Sequence, residues 1–123
     1  MRLLRVADLL TDPTPVPEPE RFHGPAYSAD ISGAATEKAS VALIRLAPGS
    51  RGHWHRHRDG QTLHIVDGRG FVGRRDAEPL AVQAGDLVWI EPGEEHWHGA
   101  ADDAHLAQLA INYGPITWLE PSR

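Results

Sequence analysis

The chain reads as an all-β protein, and three features of the sequence point that way. Apolar stretches of strand length, such as Val41 to Leu46, Thr62 to Val66 and Asp86 to Ile90, recur at short intervals. Between them stand breakers built from Gly, Pro and Asp-Gly: Ala47-Pro48-Gly49, Asp67-Gly68, Gly85 and Glu91-Pro92-Gly93. No segment after residue 12 carries the stripe of an amphipathic helix. Short, regularly spaced strands with turn signals make a sandwich or a barrel.

Taken in order, Met1 to Leu10 fits a short helix or a strand, because its apolar positions suit both periods. Thr11 to Glu20, TDPTPVPEPE, is an extended arm, since each proline fixes its own φ and biases its predecessor away from helix. Such an arm lies across a neighbouring subunit or hangs free. Arg21 to Ser32 reads as a weak strand, and Ser32 to Ser40 as a small polar loop with room to move. Val41 to Leu46 is a strand with Ala42, Ile44 and Leu46 on one face, opposite Arg45. Thr62 to Val66 and Gly70 to Arg74 read as a hairpin about Asp67-Gly68. Glu78 to Val82 and Asp86 to Ile90 flank the Gly85 turn, His105 to Tyr113 alternates, and Ile116 to Leu119 ends the strands.

The 123 residues suit one domain with a single core. Apolar residues are 41% and charged residues 24%, an ordinary balance for a globular protein. A net charge of −5 argues against gripping a nucleic-acid backbone. The local run Arg51 to Arg58 is basic; it reads as a rim attractive to an anion, or as a solvated loop. There is no cysteine, which removes disulfide scaffolds, thiol catalysis and thiolate zinc sites. No stretch reaches the length of a membrane span, and the opening MRLLRVADLL is interrupted by Arg5 and Asp8, so the cytoplasm is the expected compartment.

Two histidine clusters carry the chemistry. His53, His55 and His57 precede the strand beginning near Gln61, and His96 and His98 follow the Pro92-Gly93 turn. On a strand, residues two apart point the same way, so His55 with His57, and His96 with His98, each aim at one place. Imidazoles converging in this fashion hold zinc, copper, iron or nickel. A metal site is the first inference.

The spacing then resembles a known family. Gly49, His55, His57, Gln61 and Gly68 fit the first cupin motif, G-x5-H-x-H-x3-E-x6-G, with Gln61 in the acid's place. Gly85, Gly93 and His96 fit the second, G-x5-P-x-G-x2-H-x3-N, with Glu91 for its proline and Ala100 for its asparagine. Sixteen residues separate the two motifs, as in small single-domain cupins. The segments WHRHRDGQ (54–61) and GEEHWHG (93–99) further resemble a subset that includes the bacterial cupin-type hydroxynitrile lyases.

That resemblance implies a jelly-roll barrel of two packed antiparallel sheets over residues 21–123, preceded by residues 1–20 as a segment bearing the arm. It implies a divalent metal, manganese or iron, held by His55, His57, Gln61 and His96, with zinc or nickel able to displace it in a crystal. It also implies a homodimer or homotetramer acting on a small-molecule substrate. Ala42, Ile44, Leu63, Gln108 and Asn112 are expected in the substrate pocket. The apolar pattern alone would turn Gln108 and Asn112 outward; a metal pocket is where polar residues point inward.

Gln61 is neutral where the motif has an acid, so a bound ion would keep its full charge and favour anionic ligands. His98 shares a face with His96 and is the candidate base, or else a residue orienting a ligand. In the lyases a histidine stands where Gln108 aligns here, and an amide cannot take a proton at neutral pH. His53 reads as rim, His64 as surface or subunit contact, and His105 as facing away from the pocket. Trp89, Trp97 and Trp118 read as core or interface aromatics. The function expected is metal-dependent lyase chemistry, with a dioxygenase-like enzyme or a non-catalytic binding module as alternatives.

Overall fold

The structure, a computed structural model, describes residues 1–32 and 38–123. The loop expected between Ser32 and Ser40 lies largely outside the described residues. One short helix, α1 (Val6–Leu9), opens the chain, and a single 3-10 turn spans Pro19–Arg21. Eleven strands follow: β1 (Phe22–His23), β2 (Ala26–Asp30), β3 (Ala39–Leu46), β4 (Arg51–Gly52), β5 (His55–His57), β6 (Gln61–Arg74), β7 (Leu80–Gln83), β8 (Leu87–Ile90), β9 (His96–Ala100), β10 (Leu106–Tyr113) and β11 (Ile116–Trp118). No helix among the described residues is long and apolar enough to cross a membrane.

All strand pairs are antiparallel, and β6 belongs to two layers at once. Its first half sits between β8 and β10, in a layer that continues through β3 to β2. Its second half sits between β7 and β9, in a layer that continues to β4 and β1, with β5 and β11 attached through β9. The expected hairpin at Asp67-Gly68 is therefore not a turn but a corner inside one 14-residue strand. A register shift against Ala107 and Gln108 marks the corner, and Gly68 takes φ +75° there. A bulge of this kind bends a strand out of one sheet and into the next. Gly68 suits it twice, by its free φ and because a Cβ would lie 1.9 Å from the His105 carbonyl oxygen.

The core lies between the layers. Leu63 and Ile65 of β6, Leu46 of β3, Leu106 and Ala110 of β10, and Val72, Val82, Ile90 and Ala100 form one buried cluster. Alternation supplies it, since Gln61, Leu63 and Ile65 share one face while Thr62 and His64 are turned outward. The proline-rich arm folds back on its own barrel. Pro15 bridges Tyr27, the Val16 amide donates to the Ala26 carbonyl at 3.2 Å, and Val16 is buried in the core cluster. The C-terminal tail is clasped as well. Just beyond β11 and before β5, the Leu119 amide donates to the Trp54 carbonyl at 2.8 Å and the Trp54 amide to the Glu120 carbonyl at 3.0 Å, and Arg75 stacks on Trp54 while bonding Glu95 and Glu120.

Candidate metal centre

Two strands deliver the imidazoles. His55 and His57 stand on β5, and His96 and His98 on β9, with His55 directly opposite His96 in the register. Alternation turns all four rings to the barrel interior, and all four are buried. Ring centroids lie 4.2 Å apart for His55 and His96, 5.2 Å for His55 and His57, and 4.9 Å for His96 and His98. The ligand nitrogens of His55, His96 and His98 all fall within 4.8 Å of one another. His57 stands outside that tightest group, 5.7 Å from His96 between centroids, with both ring nitrogens buried and unpartnered.

Backbone carbonyls fix the tautomers. His55 Nδ1 donates to the His53 carbonyl at 3.0 Å, and His96 Nδ1 donates to the Glu94 carbonyl at 2.9 Å. In a neutral imidazole this leaves each Nε2 as a bare lone pair. His53, expected at the rim by its ring, thus acts through its main chain, two residues before the histidine it orients. Its parallel is Glu94 before His96.

The inward lone pair of His96 meets another acceptor. His96 Nε2 faces Gln61 Oε1 at 3.0 Å, with no hydrogen for either to share. Two donor atoms on one ion with bonds of about 2.1 Å stand roughly 3–3.4 Å apart, so this contact has the length of a ligand pair. His55 Nε2 lies 3.2 Å from His98 Nε2, and a neutral His98 with its hydrogen on Nε2 donates it there. Protonation of His96 is the competing way to relieve the first contact, and burial opposes it. Burial, then the charge of His96, holds His55 well below the ordinary imidazole range. Burial followed by His96 brings His57 to about 4. His96 is lowered by burial, and His98 is lowered well below by burial and then by His96, His55 and His57. The donor set is neutral, acceptor-rich and short of partners, and a divalent cation fits it.

A cavity of about 280 Å³ opens beside these rings. Its lining interleaves polar groups, His55, His57, Gln61, His98, Gln108 and Asn112, with apolar ones, Phe22, Ile44, Leu46, Ala110, Ile116 and Trp118, and the arm residues Val16, Pro17 and Glu18 complete it. Ile44, Gln108 and Asn112 line this cavity. Ala42 and Leu63 do not line the cavity: Leu63 is fully buried in the core cluster deeper in the barrel, and Ala42 pairs with Ala110 and Asp30 across its neighbours. Trp118 is a correction, because its ring packs 4.8 Å from that of His55 and walls the pocket. The arm residues and Phe22 were missed, since nothing in a proline-rich stretch marks which of its residues returns to the barrel.

The arginines of the basic run each have partners. Arg51 stacks 3.6 Å from the Trp97 ring and bonds Ser122, Arg56 pairs with Glu95, and Arg58 pairs with Asp59. His105 bonds Asp67 at the surface, and His23 and His64 are exposed.

A family description for the cupin domain matches residues 42–112, more than half of the chain and nearly all of the site. The chain is a cupin. Among characterised proteins, this cupin is 43% identical over 83 residues to an (R)-mandelonitrile lyase of Granulicella tundricola. That match takes in 64% of this chain and 63% of the lyase, so the cupin spans less than two thirds of that relative's length. Among solved structures, it resembles a cupin-like protein of Thermotoga maritima, with a TM-score of 0.77 and 32% identity over 83% of this chain and 81% of that one. A polyketide cyclase of Streptomyces resistomycificus shares the fold, with a TM-score of 0.69 and 12% identity over 100% of this chain and 86% of that one.

Proposed function

We propose that this cupin is a metal-dependent lyase that splits a small α-hydroxynitrile into an aldehyde and hydrogen cyanide. The observation that carries the reading is the cavity beside the histidines, in which six polar groups from the ligand cluster and β10 stand among apolar side chains. An aryl or alkyl group would rest against Ile44, Phe22, Ile116 and Trp118, leaving its hydroxyl and nitrile toward the polar groups. The likeness to a mandelonitrile lyase supports the same class of substrate.

His55, His57, Gln61 and His96 would hold a divalent ion, manganese or iron, with His98 bordering it. When bound, the ion supplies positive charge against which an alkoxide or cyanide anion is stabilised. His98, kept uncharged by its surroundings, takes the substrate's hydroxyl proton as the carbon–carbon bond breaks. The bond's electron pair leaves with cyanide, and His98 returns the proton to it, so that aldehyde and hydrogen cyanide balance the substrate. Gln108, 1% exposed and lining the cavity, would donate from its amide nitrogen to the hydroxyl oxygen and orient it while the proton goes to His98.

The test is release of benzaldehyde and cyanide from mandelonitrile by manganese-loaded protein. Release that vanishes on chelation supports the reading; release no greater than that of the metal-free protein ends it. We also propose a homodimer formed through the outer face of β8, where Leu87 is 72% and Trp89 52% exposed. Sedimentation should give twice the chain mass, falling to one chain in Trp89→Glu.

A further inference from the structure

Gln61 is the odd member of the donor set, because a carboxamide presents a ligand from only one of its two ends. Its oxygen can bind a cation; its NH2 group repels one. A carboxylate at the same position has no wrong end. Something must therefore choose which end of Gln61 meets the histidines.

From the hydrogen bonds of β10 and β3 we infer that Asn112 is the residue that chooses. Gln61 Nε2 donates to Asn112 Oδ1 at 2.7 Å, which turns the NH2 end away from the cluster and Oε1 to His96 Nε2. Asn112 Nδ2 in turn donates to Ser40 Oγ at 3.3 Å, a hydroxyl that can also donate, so Ser40 seats Asn112 without selecting its end. With its oxygen toward Gln61, Asn112 takes up the NH2 end and leaves the oxygen end to the histidines. The three residues lie opposite one another in the strand register, Gln61 against Asn112 and Asn112 against Ser40, so the sheet itself lines them up. Asn112 is a positioning residue for a metal ligand, and this role rests on the metal reading above.

The experiment is a double-substitution cycle read by manganese(II) affinity, followed by the EPR signal of free Mn(II) on metal-free protein. In the parent, Asn112→Ala should weaken binding about ten- to hundred-fold, the usual effect of removing a residue that orients a ligand. In the Gln61→Glu background the same change should cost less than about threefold, since either carboxylate oxygen serves. Equal losses in the two backgrounds, or no loss in the parent, overturn the inference. A packing role would give equal losses, because the void is the same in both. If Asn112→Ala fails to fold, Asn112→Leu, similar in size and without the acceptor, replaces it, with the same loss expected in the parent and less than about threefold beside Gln61→Glu, and equal effects again overturning the idea. A parent that does not bind manganese at all would instead remove the metal reading, so the two failures are told apart.

Discussion

His98 and Gln108 face one cavity with opposite capacities for a proton. The imidazole can take one and the amide cannot, so proton transfer in the proposed reaction falls on His98 alone. His98→Ala should lower kcat/KM for mandelonitrile by about 10²–10⁴, the range for losing a positioned acid–base group. Metal content should stay near one ion per chain, as measured by elemental analysis of the purified variant; a parallel loss of metal would make His98 a ligand rather than a base. Gln108→His places a second base where the lyase resemblance has one. It should raise kcat/KM at least about tenfold, and an unchanged rate would mean that position does not govern the proton.

The corner of β6 shows how one glycine organises an element. Gly68 lets the strand leave the β8–β10 layer and enter the β7–β9 layer, which places β9 and its two histidines across from β5. A side chain there would have to adopt φ +75° and push against the His105 carbonyl. Gly68→Ala should therefore destabilise by about 2–5 kcal/mol, from left-handed strain plus overpacking. Urea unfolding of the metal-free variant measures it, and a loss below about 1 kcal/mol would mean the corner tolerates a Cβ. The arm is the second element whose placement matters. Its prolines made an extended segment legible, but its course over the barrel comes from Val16 entering the core and from the two backbone bonds to β2.

For the whole molecule, four buried imidazoles with lowered pKa couple stability to pH. Unfolded, each titrates near 6.5; folded, each stays neutral to lower pH, and His57 to about 4. Between those values the unfolded chain binds more protons, so stability rises with pH. The metal-free protein is at full stability above about pH 6.5 and loses it as pH falls toward 4, with His57 alone worth about 3 kcal/mol across that window. Denaturant melts of chelator-treated protein at pH 7.5 and 5 should show the loss; equal midpoints would contradict it. Metal at a hundredfold over its Kd should add about 2.7 kcal/mol at pH 7.5, readable as a raised Tm.

Much of this was legible in the residues alone. Period-two alternation, the breakers and the paired histidine spacings determined an all-β chain in which His55 with His57, and His96 with His98, point the same way, because side-chain direction along a strand is a local property; Gln61 joined them only through the resemblance to the cupin motif. Tertiary structure alone decided the rest: that Asp67-Gly68 bends a strand instead of reversing it, that Trp118 and the arm wall the cavity while Leu63 and Ala42 do not, and that Asn112 reaches Gln61. Those outcomes depend on which strand lies beside which, and residues such as Gln61 and Asn112, 51 positions apart, meet only once the layers have closed.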